Sequence, residues 1–148
     1  MSLSRTGLDP RDMLEALQAF ADGSVAHHVA TEMAVTGQGL VRRGFDQSKA
    51  PDGSAWRPLA ASTLRGGPSR RPLRKTGRLA FVASQYSVDR TGFVMRSTDA
   101  GGWHQSEGVR TRLPRRAFYP DEAGPLPVGW WIALGSAAER AVADFVPR

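Results

Sequence analysis

Hydrophobic positions change their spacing several times along the chain. Asp9-Pro10 marks a helix start, an N-cap aspartate followed by a proline whose missing N–H costs nothing in a first turn. Met13, Leu14, Leu17, Phe20 and Ala21 then share one face, which predicts a helix over 10–21. "ADGS", Ala21 to Ser24, breaks it. Ser24 is the expected cap of a second helix over 25–42, with Val25, Val29, Met33, Thr36 and Leu40 as its stripe. One long bent helix fits the same pattern. Gly37 and Gly39 weaken its last turns, and Gly44 is the expected terminator.

From Asp46 to Pro72 the periodicity vanishes. "KAPDGS" and "RGGPSRRP" are turn sequences; in Pro51-Asp52-Gly53 the proline presets φ and the glycine accepts positive φ. Trp56 and Leu59 are the expected anchors of this loop, and Ser62-Thr63-Leu64 a short helical turn. Strand-forming residues return in "LAFVASQYSV" and "FVMRST"; "DRTG" between them predicts a β-hairpin at about 79–98. "DAGG" reads as a flexible link, "WHQSEG" and "RLPRRAFYP" as short extended segments, and "PDEAGPLPVG" as irregular. A last helix is predicted over Ser136 to Val146, with Ala137, Ala141, Val142 and Phe145 on one side. The sum is an α+β chain: N-terminal helices (one long or two), a small antiparallel sheet, long loops and a C-terminal helix. Its 148 residues suit a single domain, helical over 9–44, loop over 45–72, β-rich over 73–120, and loop plus helix over 121–148.

Charge sharpens this outline. Residues 1–64 carry six basic and seven acidic groups, net −1; residues 65–116 carry twelve and three, net +9; the remainder carries two and four, net −2. The basic block predicts a surface that faces something anionic. Only two of the chain's twenty Lys and Arg residues are lysine, and arginine suits bidentate contacts to carboxylate as well as phosphate. The absence of cysteine excludes disulfides and thiolate chemistry. No run of eighteen apolar residues and no basic-then-apolar leader is present, so neither a membrane span nor a secretory signal is expected.

Candidate chemistry is sparse. His27 and His28 are adjacent on a helix and point about 100° apart, so they cannot share a metal; Glu32 could join His28, but two ligands do not make a site. His104, Ser106 and Glu107 sit within four residues of one extended stretch, whereas a catalytic triad converges from separate elements. Asp12 and Glu15 are spaced as a helix face, and "RGGPSRR" lacks the ending of a phosphate-binding loop. No catalytic residue, metal or cofactor is therefore expected. "SRRPLRKTGR" packs five cations into ten residues, enough for phosphate contacts, without the interleaved aromatics that stack on bases. A small basic nucleic-acid-binding module using this block is the alternative to a protein interface. Trp103 and the Trp130-Trp131 pair are either core anchors or partner contacts.

Four blocks, taken in order, resemble the phage virion morphogenesis family, the tail completion proteins of tailed bacteriophages. "FDQSKAPDGSAWRPLAASTL" (Phe45 to Leu64) is similar to that family's phenylalanine, Pro-Asp-Gly turn and tryptophan, "LRKTGRL" (Leu73 to Leu79) to its threonine-glycine element. "WHQSEG" (Trp103 to Gly108) and "LPRRAFYP" (Leu113 to Pro120) resemble its His-Gln segment and its arginine-aromatic block. Together they span about half the chain; the segment from Asp121 to Trp131 departs from the pattern. The resemblance implies a structural, non-enzymatic subunit of the virion, located at the head-tail junction or tail and assembled in the host cytoplasm. It implies a ring-shaped homo-oligomer, a hexamer being one candidate, that meets other neck and tail proteins and the DNA passing through its channel. The candidate interface is Arg70, Arg71, Arg74, Lys75, Trp103, His104, Arg115, Arg116 and Phe118. Phe45, Pro51, Gly53, Trp56 and Gly77 are the expected structural anchors.

Overall fold

The computed structural model describes residues 9–67, 70–97, 99–105 and 114–147. Helix α1 (Pro10–Ala21) starts as expected: the Asp9 carboxylate accepts from the Arg11 N–H at 2.9 Å and Pro10 opens the first turn. Gly23, at φ 83°, is the N-cap of α2 (Ser24–Gln47), so Ser24 is the first helical residue rather than the cap. The chain therefore forms two helices joined by a tight turn. Gly44 does not end α2. Ser48, at φ 54°, does, with its N–H returning to the Gly44 carbonyl.

Gly37 lies beneath the hairpin, where a Cβ would stand 3.4 Å from Met95 and Phe93. The helix gives up some propensity there, and the close approach of two large side chains compensates. The Pro51-Asp52-Gly53 turn forms as predicted: the Gly53 N–H bonds to the Ala50 carbonyl at 2.9 Å, with Gly53 at φ 87°. The expected helical turn around Thr63 is α3 (Ala61–Gly66).

The predicted hairpin is shorter than its strand-forming residues suggest. Arg78–Ala83 is a helix, α4, led in by Gly77 at φ 73°. Leu79, Ala80 and Ala83 pack on the core at i, i+1 and i+4 spacing, so tertiary contact outweighs the β-propensity of Phe81 and Val82. Strands β1 (Tyr86–Val88) and β2 (Phe93–Met95) pair antiparallel, Val88 opposite Phe93, across the predicted "DRTG" turn. Three aspartates hold their turns in one way. Asp22, Asp52 and Asp89 each accept from the backbone N–H and hydroxyl of the Ser or Thr two residues on, at 2.6–2.9 Å.

Among its described residues the region 73–120 holds no strand besides β1 and β2, since "DAGGWHQ" forms a helix, α5 (Asp99–Gln105), and 114–120 is irregular in its hydrogen bonding. Helix α6 (Val128–Ala143) starts eight residues earlier than predicted. Its buried stripe is Trp130, Leu134, Ala137 and Ala141, a pattern whose first half the glycine and prolines around it disguise. It runs antiparallel to α2. Asp144 and Phe145 meet His28 near the start of α2, while Trp130 and Leu134 share a cluster with Val41 and Phe45 near its end. The architecture is α+β, helices α2 and α6 forming the main pair and the two-stranded hairpin lying against α2. No described helix is long and apolar enough to cross a membrane.

Candidate functional site

The end of α2, the Pro51 loop and the segment 114–120 meet around three aromatic rings. Phe45 lies 5.3 Å from Trp56 and 5.3 Å from Phe118, and Tyr119 stacks edge-on against Phe118 at 4.7 Å. Phe45, Trp56 and Phe118 are all buried. Such pairs add about 0.5–1.5 kcal/mol each beyond the area they remove from water. The indole N–H of Trp56 donates to the Ala117 carbonyl at 2.8 Å, and the Tyr119 hydroxyl donates to the Ala83 carbonyl at 2.6 Å. Burial pushes the Tyr119 phenol up to about 12.

Gln105, the last residue of α5, fixes the extended segment. Its side-chain oxygen accepts from the N–H groups of Phe118 and Tyr119, both at 3.0 Å, and its amide nitrogen donates to the Tyr119 carbonyl at 2.6 Å. One amide thus supplies what a neighbouring strand would. Sequence reasoning did not single out Gln105; the signal that could have found it is its place beside His104 in the "WHQSEG" block.

Two candidate interface residues are interior. Arg116 is 5% exposed, its guanidinium donating to the Arg57 carbonyl at 3.0 Å and the Pro58 carbonyl at 3.2 Å. Phe118 is 2% exposed and belongs to the core. The alternation of an extended segment turns Arg116 and Phe118 to the inner face, leaving Arg115 outside. Burial lowers the Arg116 pKa, and the nearby Arg57 charge lowers it further. His104 is half-buried, its pKa held below the usual imidazole value chiefly by burial and then by the Arg116 charge, with the Pro114 carbonyl opposing. It is neutral at pH 7, and its Nδ1 is buried without a hydrogen-bond partner. Ser106 and Glu107 lie outside the described residues.

The remaining candidates form a rim. Arg115 pairs with Asp121 and donates from Nε to the Gln105 carbonyl at 3.0 Å. Arg74 pairs with Asp46 at 2.6 Å, tying the basic loop to the end of α2. Arg70, Arg71 and Lys75 are exposed. Trp103 is on α5, but its side chain lies outside the described residues, as do Arg110 and Arg112. Of the tryptophan pair, Trp130 is buried and Trp131 is 68% exposed. Of the expected anchors, Phe45 and Trp56 are buried in the core, Gly53 and Gly77 take positive φ at 87° and 73°, and Pro51 lies in the turn closed by the Gly53 N–H.

A cavity of about 180 Å³ opens beside this cluster, lined by Pro51, Asp52, Trp56, Arg115, Tyr119 and Asp121 among others. It is smaller than the roughly 300–1,000 Å³ of small-molecule sites. His27 and His28 border a larger and more open depression of about 540 Å³ with Asp22, Ser24, Thr31 and Arg90. His28 pairs with Asp144 at 3.2 Å, and no group of three metal-ligating side chains occurs among the described residues. Comparison of the chain with family models, with curated proteins and with solved structures gives no match.

Proposed function

We propose that the chain is a structural virion assembly protein of a tailed phage, completing the tail or the head-tail junction as a ring-forming subunit without enzymatic activity. The observation that carries this reading is where the four motif blocks come together. Phe45 and Trp56 from the first, Gln105 from the third and Phe118 from the fourth build one clamped aromatic cluster. Arg74, from the second block, is tied to Asp46 of the first. The family-like residues are thus used for packing and for holding loops, which is what a scaffold subunit requires of them. The Trp56 indole and the Arg116 guanidinium around them end on backbone carbonyls, and Arg115 pairs with Asp121 at the rim of a cavity smaller than ordinary small-molecule sites. Exposed basic residues beside this frame are then available to acidic neighbours or to channel DNA.

The alternative, a nucleic-acid-binding module, is favoured by the exposure of Arg65, Arg70, Lys75 and Arg78 along one stretch of the basic block. Mass photometry of the purified chain, alone and with bulk DNA at low and high salt, separates the two. A discrete ring-sized oligomer that is indifferent to DNA supports the assembly subunit. A monomer that gains DNA only at low salt overturns it in favour of phosphate binding.

A further inference from the structure

Two helices carry apolar faces that nothing among the described residues covers. In α1 the half-buried positions are Ala16 and Ala19, while Met13, Leu14, Leu17 and Phe20 stand 47%, 56%, 62% and 51% exposed. This amphipathic helix directs its large side chains into solvent. In α6 the face away from the buried stripe holds Val128, Trp131 and Ile132 at 74%, 68% and 59% exposure, followed by Gly135 and Glu139, with the half-buried Ala138 on its flank. A helix apolar on both sides is ordinarily a buried helix.

We infer that these faces are the two halves of one contact between copies of the chain: α1 of one copy lies along the outward face of α6 of the next. Each face offers roughly 400 Å² of apolar surface. Their contact removes about 800 Å² from water before polar margins are added, which brings it to the ~1,000 Å² a specific interface needs. The lengths match, since twelve residues of α1 span about 18 Å, as does the run from Val128 to Glu139.

With the helices antiparallel and Phe20 level with Ile132, Leu17 falls opposite Gly135 and Leu14 opposite Ala138, large side chains over small ones. The same register brings Arg11 and Asp12 within a turn of Glu139 and Arg140, opposite charges on both sides. A Cβ at Gly135 meets nothing within 4 Å in the isolated chain, so room exists for a neighbour's leucine. The contact joins different patches, so it repeats head to tail and closes into a ring when the rotation permits. It deepens the assembly reading and rests on it only in requiring that copies of the chain meet.

The chain has no cysteine, which permits a clean cross-linking test. Full-length Leu17→Cys and Gly135→Cys chains are mixed and oxidised. The expected product is the mixed disulfide, in clear excess over either self-disulfide. In parallel, Leu14→Asp with Leu17→Asp keeps the wild-type circular dichroism, because neither side chain is buried in the isolated chain, and weakens self-association about tenfold or more in sedimentation.

An excess of the Leu17→Cys self-disulfide would place α1 against α1 and overturn the contact. A wild-type chain that is monomeric up to its solubility limit, or an aspartate variant that associates like wild type, would do the same. Oligomers that form while the mixed disulfide stays absent overturn this contact and leave the assembly reading standing. That reading fails separately, if the chain stays out of particles.

Discussion

Replacing Gln105 by methionine keeps the length of the side chain and removes three hydrogen bonds at once. The lost partners are the N–H groups of Phe118 and Tyr119 and the carbonyl of Tyr119, all on a part-buried segment that no strand flanks among the described residues. Each bond contributes about 0.5–1.5 kcal/mol net, and more where the abandoned group stays away from water, so the change costs about 2–4 kcal/mol. A chain of this length loses about 3 °C of Tm per kcal/mol, which gives a fall of roughly 6–12 °C. Urea unfolding followed by tryptophan fluorescence reads the effect directly, because Trp56 bonds to Ala117 in the same segment. Gln85 is the control. It is exposed and makes a single bond at 3.2 Å to the Phe81 carbonyl, so Gln85→Met stays within about 0.5 kcal/mol of wild type. Equal stability of Gln105→Met and Gln85→Met would refute the role given to Gln105 as the substitute strand.

Phe118→Ala, at 2% exposure between Phe45 and Tyr119, costs about 3–5 kcal/mol in denaturant titration; a loss below about 1 kcal/mol would mean the ring is not in the core. Gly101→Ala destabilises by about 1–3 kcal/mol, since its Cβ would collide with the Ser97 side chain and press on Leu79, whereas Gly39→Ala in α2, with no described atom within 4 Å of its Cβ, is neutral or stabilising in thermal melts. The pH profile of Tm has two shoulders. His104 has a depressed folded pKa, so the unfolded chain binds more protons below about 6.5 and stability falls on acidification; His104→Gln flattens that slope. Tyr119, raised to about 12, contributes stability that is complete below about pH 10 and is lost as pH rises from there; Tyr119→Phe removes the alkaline fall.

Local chemistry alone determined a good part of this protein. The Asp9-Pro10 start, the Pro51-Asp52-Gly53 turn and the "DRTG" hairpin turn depend on the dihedral range and side-chain hydrogen bonds of the residues in them, and they form as read. The length and type of the helices that stand on their own periodicity, α1 and most of α2, follow for the same reason. Other outcomes were decided at long range. Arg78–Ala83 is helical because Leu79, Ala80 and Ala83 find the core at helical spacing, against the local preference of Phe81 and Val82. Gly37, a weak helix former, is packed under Phe93 and Met95, residues more than fifty positions away that no local pattern links to it.

The same distance separates surface from interior among the candidate site residues. Arg115 and Arg116 look alike in the chain, but the extended backbone turns one to Asp121 at the surface and the other inward to the carbonyls of Arg57 and Pro58. Gln105 was unremarked because an amide has value as a clamp only once an unpaired backbone segment lies within its reach. A helix's apolar stripe can be read from its spacing; whether that stripe meets the core or the solvent depends on where the turn at Gly23 sends α1, and only the tertiary structure decides that.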